Sequence, residues 1–362
     1  MRLPQKLFFT FFLSSSIFLL IGIKVAESSS VNHHHHHHHN HNDDHDTKKL
    51  FVFGDSYADT GNNRISIGQS WKEPYGITFP GKPSGRFSDG RVFTDFLAKY
   101  LGLKSPVPYK FRKYKPNNLK YGMNFAFGGT GVFDTLAPYP NMTTQIDFFE
   151  RLHKDSLFTH SDLQNSIAHV SLVGNDYSAY LSRGGTIQGF QTFIPQVVNQ
   201  LVVDIQRIYN LGVKKISVTA LQPLGCLPRN LVNDQCNDTF NQAVVFHNLL
   251  LQQAITRLNN QTTNDHGSPI VIIDLYTAFF SIFQGRENNQ GNNSKFDNTM
   301  KSCCTGISEN YTCGSVDEKG NKMYKVCQNP ESFFFWDEVH PTQAGWEALS
   351  LALQANLEEL QH

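Results

Sequence analysis

The sequence lacks several features that would assign it at once to a class of protein. Basic and acidic residues balance at 31 each, so no excess charge indicates nucleic acid or an anionic membrane as a partner. The chain has no G-x-S-x-G elbow, no H-E-x-x-H pair and no C-x-x-C pair. These absences argue against ordinary α/β-hydrolases, zincins and zinc-binding cysteine sites. Beyond the N-terminus no segment is apolar for long enough to cross a bilayer.

Cysteine is missing from the first half of the chain, and an even number follows. An even count favours disulfides formed in an oxidising compartment. The two cysteines nearest the middle are close in sequence and are expected to pair, whereas the adjacent pair further on is too strained to bond to itself. The pairing of the last four therefore stays open. The six cysteines are Cys226, Cys236, Cys303, Cys304, Cys313 and Cys327.

Residues 1–26 have the composition of a secretory signal peptide. Arg2 and Lys6 form a short positive region, and the apolar stretch Leu7–Ile23 precedes small residues around Ala26. A signal anchor is the alternative, but the stretch is marginal in length for a bilayer span. We therefore expect an extracellular, secreted protein without a stable membrane span after cleavage.

Residues 27–47 are rich in His, Asn and Asp and are expected to form a disordered linker. The run of imidazoles there would bind Zn or Ni in a test tube whatever its role, and a dedicated metal function is the less favoured interpretation. Several N-x-S/T sequons in a secreted chain favour glycosylation. They lie at Asn141, Asn237, Asn260, Asn292 and Asn310.

Residues 48–362 are expected to form a single domain in which strands and helices alternate. Alternation of this kind predicts one parallel sheet with helices on both faces, and active groups beyond the carboxyl ends of its strands. Apolar runs predict strands at 50–53, 122–127, 167–174, 214–221 and 269–276. Apolar periodicity predicts helices at 91–103, 143–155, 194–208, 240–259 and about 342–357.

Ser56 directly follows the first predicted strand, in "KKLFVFGDSYADTGNN". A serine hydroxyl is a poor nucleophile unless a base removes its proton and a third group orients that base. Asp337 and His340, three residues apart in "FFFWDEVHPTQAGWEAL", can supply both before the last helix. Each short motif alone is weak, since a lone D-x-x-H is usually a surface helix pair. Their placement at strand and helix ends favours the catalytic interpretation.

Donors for a developing oxyanion are expected after the second and third strands. "NFAFGGTG" places Gly128, Gly129 and Gly131 there, where glycine lets a backbone N–H approach a ligand, although a tight turn is the simpler interpretation. "LVGND" places Asn175 after the next strand. Asn175 either caps the following helix or points its amide at the oxyanion, in which case Asp176 would be the cap.

In this order the motifs resemble the SGNH/GDSL hydrolase superfamily, and more closely the plant-type GDSL esterases/lipases. "FGDSYADTGNN", "GRFSDGRVFTDFLA", "NFAFGGTG", "LQPLGCLP" and "FWDEVHPT" carry the resemblance, which extends from about Leu50 to Leu357. It implies a flavodoxin-like three-layer α/β/α sandwich with a parallel sheet. It also implies a carboxylester hydrolase. Tyr57 departs from the leucine of the motif's name, at a position that is not catalytic.

The resemblance also implies a role for each site residue. Ser56 would be the nucleophile and would donate its N–H to the oxyanion. Gly129, preferred to Gly128 by its offset from Asn124, would donate a second backbone N–H, and Asn175 a side-chain amide. His340 would be the general base and then acid, and Asp337 would orient it.

Other features are interpreted as structural. The remaining candidate histidines are expected to be core or surface residues, and the best decoy as a base is His247, on a helix without a neighbouring acid. They are His153, His160, His169, His247 and His266. Phenylalanines beside the motifs either line an acyl groove or, as is more usual, pack in the core. They are Phe79, Phe87, Phe127, Phe133 and Phe333 to Phe335.

The expected substrate is a small-molecule, lipid or polysaccharide ester, which a monomer would process without a metal or an organic cofactor. Two alternatives use the same fold. An acyltransferase would pass the acyl group from Ser56 to an alcohol, and a wall-associated or ligand-binding protein would have lost turnover.

Overall fold

The structure is a computed structural model that describes residues 48–262, 269–285 and 295–361. The predicted signal peptide (residues 1–26), the predicted linker (residues 27–47), His266 and the sequon at Asn292 lie outside these residues. Among the described residues no helix is both long and apolar enough to span a membrane.

A six-stranded parallel sheet forms the centre of the fold, with strand order β2-β3-β1-β4-β5-β6. The five predicted strands are all present; the first extends one residue further than expected and the other four end earlier, and a two-residue edge strand was missed because so short a segment has no periodicity. The strands are β1 (Leu50–Gly54), β2 (Val107–Pro108), β3 (Gly122–Asn124), β4 (Ile167–Ser171), β5 (Lys215–Ala220) and β6 (Ile270–Asp274).

Helices cover both faces of this sheet. The α-helices before β6 are α1 (Phe93–Tyr100), α2 (Met142–Lys154), α3 (His160–Gln164), α4 (Asn175–Ser182), α5 (Phe190–Leu211) and α6 (Asp238–Gln261). Those after it are α7 (Leu275–Gln284), α8 (Gln343–Ala352) and α9 (Gln354–Glu358).

Alternation along β1 divides the core into two layers. Phe51 and Phe53 pack with residues of α2, α5 and α6, whereas Leu50 and Val52 pack with residues of α1, α7 and α8. Successive side chains of a strand point to opposite faces, so a strand buried on both faces reads as one continuous apolar run. The predicted three-layer α/β/α sandwich is confirmed.

Two predictions about the C-terminal third were wrong. The strand predicted to reach Tyr276 ends at Asp274, whose carboxylate accepts a hydrogen bond from the N–H of Thr277 and caps α7. The sequence reading missed this helix because its apolar residues continue the apolar run of β6. The last helix is interrupted at Leu353, which separates α8 from α9.

Between α7 and α8 the chain forms two pairs of short β-strands, and two disulfide bonds link residues of this segment. The strands are β7 (Asn298–Ser302), β8 (Cys304–Gly306), β9 (Tyr324–Val326) and β10 (Phe333–Phe335). β10 pairs with β7, and β8 pairs with β9. The expected Cys226–Cys236 bond is present, and the open pairing resolves as Cys303–Cys327 and Cys304–Cys313.

Candidate active site

The end of β1 places Ser56 at the carboxyl edge of the sheet. Gly54 closes the strand with φ of 140°, and a Cβ there would collide with the carbonyl oxygen of Ser171 on β4. Gln145 of α2 holds the same strand end, because its amide oxygen accepts from the N–H of Gly54 and its amide nitrogen donates to the carbonyl of Gly54. The chain therefore leaves the sheet abruptly at Asp55, and Ser56 follows in the turn.

A turn after β10 presents the imidazole to this serine. The Asp337 carboxylate accepts hydrogen bonds from the N–H groups of Val339 and His340, and the N–H of Trp336 donates to the carbonyl of His340. His340 Nδ1 lies 2.8 Å from Asp337 Oδ2, and its Nε2 lies 2.8 Å from Ser56 Oγ. The structure thus joins the three residues in one hydrogen-bonded chain, although Ser56 and His340 are 284 positions apart.

The surroundings of the buried Asp337 carboxylate favour its ionised form. Burial by itself would raise the pKa of Asp337, but the facing His340 and the hydrogen bonds from His340 and Tyr75 hold that pKa below its ordinary value. Only 8% of Asp337 is exposed, so these donors replace the water that the charge has lost. Sequence reasoning missed Tyr75, which no motif connects to Asp337.

The two glycines considered as donors differ in what their N–H groups do. The N–H of Gly128 donates to the carboxylate of Asp59 at 3.0 Å. Among the described residues the N–H groups of Gly129 and Ser56 have no acceptor. Gly129 has φ of 87°, a left-handed conformation that favours glycine, and a Cβ there would lie 2.8 Å from that of Ala137. Gly129 rather than Gly128 therefore has an N–H free for a ligand.

Asn175 lies at the start of α4 but does not cap it. The residue before it, Gly174, occupies the cap position without a side-chain hydrogen bond. The Asn175 amide nitrogen donates to Asp55 Oδ2 and to the carbonyl of Thr130, both at 3.0 Å. Both of its N–H groups are therefore engaged in this state.

The prediction that Asp176 caps α4 was wrong. Its carboxylate instead accepts hydrogen bonds from the N–H groups of Val132 and Phe133, in the loop after β3. Burial raises the pKa of Asp176 to about 6, against the effect of these two donors. Asp176 thus ties the glycine loop to the start of α4.

Asp55, the residue before Ser56, accepts several hydrogen bonds at the site. The sequence analysis gave it no role, although the motif contains it. Asp55 is fully buried and accepts hydrogen bonds from Asn175 and from the N–H groups of Tyr57 and Val173. Burial raises its pKa to about 7, and those donors oppose the shift. Asp55 thereby joins the ends of β1 and β4 around the site.

His247 and His169, two of the histidines interpreted as structural, are buried in the core. His247 Nδ1 lies 2.6 Å from the hydroxyl of Tyr177, and His169 Nδ1 lies 2.9 Å from Ser217 Oγ. Burial lowers the pKa of each imidazole to about 3, because the cation would lose its hydration. Both are therefore neutral in the folded protein.

Phenylalanines near the motifs occupy two different environments. Phe334 and Phe335 are fully buried and pack against Phe279 of α7, which is the core role. The ring of Phe87 instead lies with its centroid 5.0 Å from that of His340 and occupies the space that a side chain at Gly128 would need. Phe87 therefore forms one wall beside the imidazole.

A serine, an imidazole and a carboxylate hydrogen-bonded in series at the carboxyl edge of a parallel sheet form the arrangement typical of serine hydrolases of the α/β class. The sequence profile of the GDSL-like lipase/acylhydrolase family matches residues 50–353. The chain belongs to this family, and it is a plant-type GDSL esterase/lipase, an enzyme that hydrolyses carboxylic esters.

Proteins of similar sequence align with most of the chain. One GDSL esterase/lipase of Arabidopsis thaliana is 53% identical over 85% of this chain and 86% of its own length. A second from the same plant is 50% identical over 86% of this chain and 89% of its own length. Acetylajmalan esterase 2 of Rauvolfia serpentina is 32% identical over 82% of this chain and 86% of its own length.

Proposed function

We propose that the protein is a secreted serine carboxylester hydrolase that works through an acyl-enzyme on Ser56. The observation that carries the proposal is the position of His340, with one ring nitrogen 2.8 Å from the serine oxygen and the other 2.8 Å from the Asp337 carboxylate. A base within hydrogen-bond reach of the hydroxyl, itself held by an acid, is what an activated serine needs.

In the first half of the reaction Ser56 Oγ attacks the ester carbonyl while His340 Nε2 takes the hydroxyl proton. The tetrahedral intermediate then collapses, and His340 returns that proton to the departing alcohol. In the second half a water molecule attacks the acyl-enzyme, His340 takes its proton, and the acid leaves as Ser56 regains a hydrogen. Asp337 stabilises the imidazolium in both halves.

The oxyanion would be held by the N–H groups of Ser56 and Gly129, which have no acceptor among the described residues. Asn175 would add a third donor by exchanging one of its present acceptors, Asp55 or Thr130, for the substrate oxygen. Such an exchange is compatible with the common tightening of catalytic hydrogen bonds in the substrate complex.

Secretion is supported by the N-terminal residues 1–26, by three disulfides and by the sequons. We propose a mature chain with the linker at residues 27–47 and one domain at residues 48–362. Of the described sequons, Asn260 and Asn310 are exposed, whereas Asn141 and Asn237 are partly buried and cap helices. Glycans are therefore expected first at Asn260 and Asn310.

The test is labelling of the purified secreted protein with a fluorophosphonate, followed by mapping of the adduct by mass spectrometry. We expect the adduct on Ser56, its absence in Ser56→Ala, and labelling and ester turnover slowed by about 10³-fold or more in His340→Ala. His160→Ala, which replaces an exposed histidine, is the matched control and should behave as wild type.

No adduct on well-folded wild-type protein would contradict the proposal and favour a binding protein of the same fold. Product analysis with and without acceptor alcohols separates hydrolysis from acyl transfer, because only a transferase forms the new ester in preference to the free acid.

A further inference from the structure

The buried phenol of Tyr75 contacts Asp337, the acid of the hydrogen-bonded series Ser56, His340 and Asp337. Tyr75 is fully buried, and its hydroxyl donates to Asp337 Oδ2 at 2.7 Å across 262 positions of sequence. The same carboxylate oxygen faces His340 Nδ1 at 2.8 Å. One oxygen of Asp337 is therefore shared between the imidazole and the phenol.

Tyr75 stays protonated, so it always acts as a donor. Burial and the negative charge of Asp337 raise the pKa of Tyr75 well above its ordinary value. A buried hydroxyl that lost this acceptor would remain unpaired, which is unfavourable in an apolar environment. The phenol and the carboxylate thus satisfy each other.

The phenol and its acceptor are held by one disulfide cluster, defined as Tyr75, Cys303, Cys304, Cys313, Tyr324 and Trp336. The ring of Tyr75 packs edge-on against that of Trp336, the residue immediately before Asp337. The N–H of Cys304 donates to the carbonyl of Trp336 at 2.7 Å. The disulfide cluster therefore fixes the donor and the acceptor relative to each other.

We propose that Tyr75 is a positioning residue for catalysis, which holds the Asp337 carboxylate in the orientation and charge state that serve His340. The inference rests on the proposed function of Ser56 and His340. Among the contacts of the described residues none joins Tyr75 to Ser56, so Tyr75 would act only through Asp337.

Two consequences follow for catalysis. Without the phenol the carboxylate is held on one side only, so the imidazole is oriented less well and kcat falls. Without the phenol the carboxylate charge is also less dispersed, so Asp337 stabilises the imidazolium more strongly. Protonation would then remove the base at a higher pH, and the acid limb of kcat/KM would move upward in pH.

A purely structural tyrosine would give a different result. If Tyr75 only fills the core, loss of its hydroxyl can lower the melting temperature but leaves the pH profile of the folded enzyme in place. The pH profile therefore separates the two roles.

The experiment compares Tyr75→Phe with Tyr324→Phe, a tyrosine of the same disulfide cluster that has no contact with the catalytic chain among the described residues. Hydrolysis of a p-nitrophenyl ester is followed from pH 4 to 9. Tyr75→Phe is expected to lower kcat about tenfold, the loss expected for a hydrogen bond to a charged group, with KM within about twofold. Its acid limb should lie at higher pH, while Tyr324→Phe matches wild type in both respects.

A double-mutant cycle tests whether Tyr75 acts through Asp337. In an Asp337→Ala background, Tyr75→Phe should cause almost no further loss of kcat. A full tenfold additional loss in that background would overturn the proposal.

A second variant keeps the proposal falsifiable if Tyr75→Phe does not fold. Incorporation of 3-fluorotyrosine at position 75 retains the ring and makes the phenol a stronger donor. The acid limb should then move to lower pH, opposite to Tyr75→Phe, and an unchanged or upward shift would overturn the proposal.

These outcomes are distinct from failure of the proposed function. Wild-type protein that neither labels nor turns over any ester would overturn both proposals. An active wild type with a normal Ser56 adduct, together with a Tyr75→Phe variant of unchanged kcat and pH profile, would overturn this inference alone.

Discussion

At the scale of single residues, Tyr57 ties the serine turn to the histidine turn. Its hydroxyl donates to the carbonyl of Val339 at 2.8 Å, between Asp337 and His340 in sequence. Its ring packs edge-on against Trp346 of α8. The motif's usual leucine cannot make that hydrogen bond, so this departure adds a link between the two turns.

Tyr57→Phe should lower kcat about fivefold with little change in KM, because a hydrogen bond of about 1 kcal/mol to the histidine turn is lost. Tyr57→Leu also removes the ring and should lower the melting temperature as well as kcat. Steady-state kinetics and thermal denaturation of both variants check this. A Tyr57→Leu enzyme with wild-type kcat would show that the link has no catalytic effect.

At the scale of elements, the site depends on how closely β1 approaches its neighbours. Parallel strands bring their carboxyl ends to one edge, which is why residues after β1, β3 and β4 meet although they are far apart in sequence. The strand and helix types were predictable there because the long strands are continuous apolar runs and the long helices have an apolar periodicity. Two of the missed elements, β2 and α7, lack that signal: β2 is too short, and α7 continues an apolar run.

Gly54→Ala should destabilise the protein severely and abolish ester hydrolysis, because the added Cβ would collide with the Ser171 carbonyl at a φ of 140°. Gly102→Ala is the matched control, since Gly102 also has a positive φ, of 73°, but a Cβ there meets nothing within 4 Å. Thermal denaturation should show only the modest backbone strain for Gly102→Ala. Equal losses in the two variants would mean that the close approach to β4 is not the cause.

At the scale of the whole molecule, two neutral imidazoles are buried on opposite sides of the sheet core. His247, on α6, contacts the hydroxyl of Tyr177 on α4, whereas His169, on β4, lies with its ring 5.2 Å from that of Phe93 on α1. Folding holds both neutral, whereas the unfolded chain takes up a proton on each as the pH falls below about 6.5. Their contribution to stability is therefore present above that pH and is lost progressively as the pH falls toward 3.

The change His247→Gln isolates one of these groups. We compare the free energy of unfolding of wild type with that of His247→Gln. As the pH falls from roughly 6 to 3, the wild-type value minus the variant value should decrease by up to about 1.4 kcal/mol for each pH unit. Chemical denaturation at several pH values measures this difference. Tyr177→Phe removes the same hydrogen bond but keeps the imidazole, so its curve should stay nearly parallel to that of wild type. A pH-independent difference for His247→Gln would contradict a neutral buried imidazole.

Local sequence patterns were enough to predict the order of the long strands and helices, the placement of Ser56 after a strand, and the pairing of Cys226 with Cys236. Each of these depends on neighbours within a few residues, whose side chains and spacing carry the signal. Asp337 and His340 belong with them, because their three-residue spacing sets their own turn.

Contacts between distant segments could not be predicted from local patterns and became known from the packed fold. Three such contacts join residues that no local pattern relates. They are the disulfide between Cys303 and Cys327, the hydrogen bond from the Tyr75 phenol to Asp337, and the hydrogen bonds from the glycine loop to Asp176. Such contacts depend on which surfaces the packed sheet and helices bring together. They also depend on the rule that a buried polar group must find a partner there.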